Sequence, residues 1–150
     1  MFKEGDIVEI PLPDGRTAIG WILHISQRTK NAVGFVVLGI KGQLREDVVR
    51  DAASGKPKSM KVLGLLYTNI SALKPYGWKT FAHQPMSESA RMLTKRDVGG
   101  NVYIGDEYIG PNNDPKLQRM VLCGVPGWCE DIVKAFPPPD RHDLEEQTEQ

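Results

Sequence analysis

Two cysteines, three histidines and a scatter of carboxylates are the side chains with which this chain of 150 residues could do chemistry. Cys123 and Cys129 bracket Gly-Val-Pro-Gly-Trp. That gap is neither the two-residue spacing of thiol–disulfide centres nor the spacing of a zinc knuckle. His83 and His142 would complete four ligands on paper, but nothing connects them at metal-ligand intervals. The pair therefore reads as two reduced thiols, at least one of them buried as a small hydrophobe. A nucleophilic site needs Cys or Ser beside a histidine and an orienting acid. His24 could pair with Cys123 in space, but the sequence gives that pairing no support, and His24 reads as a surface or groove-lining residue. There is no G-x-S-x-G elbow, and Gly99-Gly100 precedes a strand without a P-loop lysine. The expectation is a protein without catalytic, cofactor-binding or metal-binding residues, and not an enzyme.

The remaining candidates concern binding. Asp106 and Glu107 fall in a hairpin, while Glu130 and Asp131 open a helix. The ordinary reading gives Asp106 to a turn and the latter two to the positive end of the helix dipole. The sharper one assembles all four into an acidic face that meets a basic partner. Trp21 and Trp128 sit on apolar faces and read as core. Trp78 follows Tyr76-Gly77 and opens a strand, so it is either core or a partly exposed aromatic that touches a partner. An aromatic cage would need a third ring beside Tyr76 and Trp78, and none can be placed. Lys56, Lys58 and Lys61 read as a solvated loop.

The bulk numbers narrow the class. Forty per cent hydrophobic and 25% charged residues are ordinary for a globular domain. The 19 basic and 19 acidic groups cancel, but unevenly. Residues 1–50 carry 7 basic and 6 acidic groups, residues 51–100 carry 8 and 3, and residues 101–150 carry 4 and 10. A basic middle and an acidic last third do not suit a dedicated nucleic-acid binder. The longest apolar run, Val33–Ile40, is too short to span a bilayer. MFKEGDIVEI lacks the apolar core of an export signal, and a cytoplasmic protein is expected.

Several elements must position these residues. GDIVEIPLPDGRTAIGWILHIS, residues 5–26, reads as two strands folded back at Pro13-Asp14-Gly15. The returning strand alternates as if half-buried, with Thr17, Ile19, Trp21, Leu23 and Ile25 on one face and His24 on the other. Val33–Ile40 is apolar on both faces and reads as a central strand. A helix is expected over Gln43–Gly55, then strands at Lys61–Tyr67 and Trp78–Ala82. VYI-GD-EYI within Asn101–Pro111 is a second tight hairpin. Met120–Gly124 reads as a strand. GWCEDIVKAF reads as a helix with Trp128, Ile132, Val133 and Phe136 on one face, stopped by Pro137-Pro138-Pro139. The expected fold is α+β: a strongly curved, mainly antiparallel SH3-like sheet with one or two helices. One domain covers residues 1–136, followed by a Pro-rich, then acidic, mobile tail over 137–150.

The first hairpin carries a resemblance. GDIVEIPLPDGRTAIGWIL resembles the opening of the immunity-protein-twenty-six family of bacterial polymorphic toxin systems, with its G-D-hydrophobic run, P-L-P-D-G turn and returning strand. GWKTFAHQP, residues 77–85, is similar to that family's Trp-bearing strand. The likeness covers residues 4–23 closely and extends more loosely to about residue 85. It implies a protein that binds a cognate toxin domain and blocks it sterically, with no catalytic residue of its own. It carries over no binding residues; Asp106, Glu107, Glu130, Asp131 and Trp78 are named from this chain's own pattern. Gly5-Asp6-Ile7-Val8 also resembles the start of endoribonuclease toxins of the MazF and Kid type. Their following Arg-Pro strand is replaced here by Ala18-Ile19-Gly20-Trp21, leaving Arg16, Arg28 and His24 as the nearby candidates. The Asp-Gly turn is similar, finally, to that of Tudor-like readers of peptides or nucleic acids.

Overall fold

Strand β1 (Asp6–Pro11) turns through Leu12-Pro13-Asp14-Gly15-Arg16 into β2 (Thr17–Ile25). Leu12 N donates to the Arg16 carbonyl at 2.9 Å and Gly15 N to the Leu12 carbonyl at 3.1 Å. Gly15 takes φ +89°, a left-handed value that a side chain would oppose. Asp14 accepts from the Arg16 amide and side chain, which locks the turn. These coordinates come from a computed structural model that describes residues 1–42 and 63–138. The expected helix Gln43–Gly55, the Lys56–Lys61 loop, His142 and the acidic tail beyond residue 138 lie outside the described residues.

Strands β3 (Ala32–Ile40), β4 (Leu66–Asn69) and β5 (Lys79–His83) complete an antiparallel sheet of order β4-β3-β2-β1-β5. A second sheet contains β6 (Arg96–Val98), β7 (Asn101–Ile104) and β8 (Glu107–Pro111), in that order. Among the described residues the helices are α1 (Glu88–Met92) and α2 (Val125–Ala135), and Ile70–Ala72 make a 3₁₀ turn.

The α+β class and the antiparallel pairing agree with the sequence reading, but the strong curvature does not. The large sheet is open: β5 adds beside β1, and the opposite edge strand β4 never meets it. The reason lies in β2 and β3. All nine residues of β3 and seven of β2 are buried, so β2 is not half-buried as its alternation suggests. A sheet apolar on both faces is satisfied by a layer on each side rather than by closing on itself. On one face Val8, Ile10, Ile22 and Phe35 pack with Trp78 and with Val125, Cys129 and Ile132 of α2. On the other, Ile7, Trp21, Leu23 and Tyr67 pack with Ala90 of α1.

Two local features set up the region described below. Gly34 lies under the Tyr67 ring, and a Cβ built there would come within 2.7 Å of it. Gly34→Ala is therefore expected to lower stability by about 1–3 kcal/mol, since neither the central strand nor the buried ring has room to move; urea unfolding measures it. The second feature is the segment Gln118–Cys123, expected in part as a strand. It forms instead two isolated parallel bridges, Asp97 with Arg119 and Tyr67 with Leu122. Asp97 N donates to the Gln118 carbonyl at 2.8 Å, Met120 N to the Asp97 carbonyl at 2.8 Å, and Cys123 N to the Tyr67 carbonyl at 3.1 Å. One stretch of chain thus covers the outer sides of both β6 and β4.

Candidate functional site

The end of β2 and the turn of the β7–β8 hairpin are distant in sequence and meet over a hollow of about 880 Å³. Its lining includes His24, Gln27, Glu88, Arg91, Asp106 and Glu107. A register shift between Ile22 and His24 in the β2–β3 ladder re-aims the strand here. His24 ends up 4% exposed in the wall of this hollow, so of its two readings the groove-lining one describes it. The Gly105-Asp106 turn is the tight two-residue connection expected, with Gly105 at φ +58°.

His24 and Asp106 form the centre. The Nε2 atom of His24 lies 3.0 Å from Asp106 Oδ1, and its Nδ1 lies 2.8 Å from the Tyr67 hydroxyl. A carboxylate can only accept, so neutral His24 donates from Nε2, and Nδ1 accepts from Tyr67. Asp106 Oδ1 also accepts from Ser26 Oγ at 2.7 Å, and Oδ2 accepts from the Gln27 amide at 2.7 Å. Behind this group, Arg96 is 4% exposed, and its guanidinium stands 4.8 Å from the centroid of the Tyr67 ring. Arg96 Nη1 donates to the carbonyls of Gly105 at 2.9 Å and Thr94 at 3.0 Å, and Gly105 N donates to Thr94 Oγ1 at 2.7 Å. The hairpin turn is thus held from both sides.

The electrostatics follow from this burial. Desolvation pulls the His24 pKa below its ordinary value, with Asp106 acting in the opposite direction and Arg96 adding to the fall. Burial pushes Asp106 upward, but its bonds to Ser26, Gln27 and His24 prevail and hold it below the usual carboxylate range. Desolvation raises the Tyr67 phenol well above its normal range. The group is a neutral histidine, an ionised aspartate and a protonated tyrosine. Both ring nitrogens and both carboxylate oxygens are occupied. A general base needs a nitrogen or oxygen open to the proton it takes; this arrangement is suited to holding two sheets together.

The other residues singled out from the sequence are dispersed. Glu107 is exposed at the start of β8 and pairs with Arg91. Glu130 and Asp131 lie on α2, which covers the opposite face of the large sheet from α1, the helix that carries Arg91. The four carboxylates therefore do not share one face. Trp78 is 3% exposed and stands edge-on to Phe35 with ring centroids 5.0 Å apart, so of its two readings the core one describes it. Arg16 is held by Asp14, and the Arg28 guanidinium lies 4.3 Å from the centroid of the Tyr103 ring. Cys129 is buried, Cys123 is half-buried and both are free thiols; desolvation raises the Cys129 pKa. Among the described residues no His, Cys, Asp or Glu group is placed to hold a metal ion, and no helix is long and apolar enough to cross a membrane.

Comparison with known proteins matched no family model, no curated protein and no solved structure.

Sequence reasoning missed the tie between His24 and Asp106 and the buried Arg96. Asp106 was legible as a turn residue, but a turn aspartate carries no mark of a partner 82 residues away. One signal was available for α1: Ser87 before Glu88-Ser89-Ala90 is an N-cap pattern, and its hydroxyl accepts from Ala90 N.

Proposed function

We propose that this chain is a stoichiometric binding protein of the immunity class, which recognises a cognate protein toxin domain and covers its active site. The observation that supports this reading is the closed state of the His24–Asp106–Tyr67 group. It is one of two His–Asp pairs among the described residues, and each of its polar atoms is committed to internal bonds; in the other, the half-exposed His83 stands beside a second hollow with Nδ1 2.9 Å from the buried Asp6. Steric neutralisation requires only a rigid surface with complementary charge. The P-L-P-D-G hairpin, which carries the family resemblance, is an ordered two-strand unit pinned at both ends of its turn.

Affinity capture of the tagged chain from its native bacterium tests this directly. The expected result is one partner in a fixed ratio, resembling the C-terminal domain of a large secreted protein, whose toxicity is relieved on co-expression. Growth arrest caused by the chain itself, and abolished by Arg16→Ala, would instead make it the endoribonuclease.

A further inference from the structure

An open sheet has edges, and each edge presents backbone groups able to pair with another strand. Two of the four edges here are covered within the chain, β4 and β6, by the segment Gln118–Cys123. The outer sides of β5 and β8 pair with no other strand among the described residues. The two differ in chemistry. Strand β5 starts at Lys79 and borders a hollow lined by Lys3, Lys74 and His83, and a lysine on an edge is a known guard against pairing. Strand β8 carries no lysine, arginine or histidine. It shows Tyr108 at 54% and Ile109 at 50% exposure, side by side where the ladder to β7 shifts register.

Charge says what would lie there. The turn and first residue of β8, Asp106 and Glu107, are also walls of the 880 Å³ hollow. Four carboxylates line it, Glu4, Glu88, Asp106 and Glu107, against two cations, Lys3 and Arg91. Arg91 is taken by Glu107, while Glu4, Glu88 and Lys3 have no ion-pair partner among the described residues; Glu4 accepts from the Ile25 amide at 2.9 Å. A segment laid along β8 past Glu107 therefore enters an anionic hollow in which Glu88 has neither an ion pair nor the backbone bond that Glu4 makes.

We infer that the outer edge of β8 is a docking site for an extended, cationic segment of a partner protein, which adds a strand along Glu107–Gly110, packs apolar side chains on Tyr108 and Ile109, and places a lysine or arginine beside Glu88. Backbone bonds supply the pairing and alternate side chains supply the selectivity. Pro111 ends the available edge, because a proline has no amide hydrogen to donate. This inference rests on the reading of the chain as a protein-binding one, and adds the place and the chemistry of the contact.

The test uses the full chain and a displayed library of random twelve-residue peptides. The expected selected peptides carry lysine or arginine between apolar residues and move the backbone amide resonances of residues 107–110 in titration. Ile109→Lys, a change at an exposed position that guards the edge, is expected to weaken the best peptide at least tenfold, and Glu88→Gln several-fold. Selected peptides that are acidic, or that move residues 79–83 instead, would overturn the inference, as would a selection that enriches nothing. A concentration-dependent dimer abolished by Ile109→Lys would overturn it too, because the occupant would then be a second copy. If a toxin partner is captured but binds Ile109→Lys unchanged, the edge is not its site and the binding function stands. If peptides behave as expected and no partner is found, the edge stands and the immunity reading falls.

Discussion

Asp106→Asn is expected to lower the unfolding free energy by about 2–3 kcal/mol, the scale of leaving buried hydrogen-bonding groups mismatched. The substitution keeps the shape and changes the hydrogen bonding. Asp106 accepts from Ser26 Oγ, Gln27 N and His24 Nε2 through two oxygens. An asparagine offers one oxygen: with its amide nitrogen towards Gln27 N it faces a donor, and with it towards Ser26 and His24 the hydroxyl must rotate and the imidazole must change tautomer. The same residues set the response to acid. His24 has a depressed pKa in the folded state, so its contribution is complete above its ordinary value of 6.5 and is lost as pH falls below it. Asp106 is also depressed, so its contribution is present above 3.8 and is lost as pH falls through its lower folded value. Urea midpoints followed from pH 8 to pH 3 should decline in two stages in the wild type. The asparagine variant should start lower, show a deeper first stage because the Asp106 charge no longer holds the His24 pKa up, and show a shallower second. A variant as stable as the wild type at pH 7 would show that the tie between the sheets holds nothing.

Trp78→Ala should cost more, about 3–5 kcal/mol, because it empties a large site in the face covered by α2. Phe35 would lose its edge-on partner, and Leu73, whose carbonyl accepts from the Trp78 backbone amide at 3.0 Å, is itself wholly buried. Trp78→Phe makes the contrast. The indole nitrogen of Trp78 is buried without a hydrogen-bond partner, so losing it removes an unsatisfied donor along with some volume. The phenylalanine variant should therefore lose only about 1 kcal/mol. Chemical denaturation of the two variants side by side separates packing from hydrogen bonding. Equal losses would mean that the indole N–H is satisfied after all.

Much of the architecture was legible where local chemistry decides it. Pro13-Asp14-Gly15 and Gly105-Asp106 specify their turns almost without context, and both hairpins fall where the sequence places them. The last helix starts at Val125, two residues before its apolar face suggests, because Pro126 suits a first helical turn. What could not be read were choices between partners. Met120–Gly124 has strand composition, yet it serves as a strap because the edges it covers belong to two different sheets. Alternation along β2 could not show that His24, polar and apparently outward, would be sealed beneath a hairpin built 80 residues later. A strongly curved sheet suits a strand-rich chain that opens on a hairpin, but neither says which edge the fifth strand will join. The candidate site was legible in its residues but not in its assembly: Asp106 and Glu107 are brought to one hollow, and Glu130 and Asp131 are carried to the far side of the large sheet.

The strap from Gln118 to Cys123, with the helix that follows it, bears on how the chain survives its own synthesis. Until those residues leave the ribosome, β4 and β6 lack the segment that bridges to them, and the face containing Phe35 and Trp78 lacks α2. Most of the large sheet is already made by residue 83, so a nascent chain holds adhesive strands for some 40 residues of translation before they are sealed. The order of the sequence makes the two edges and that face depend on a segment translated after them.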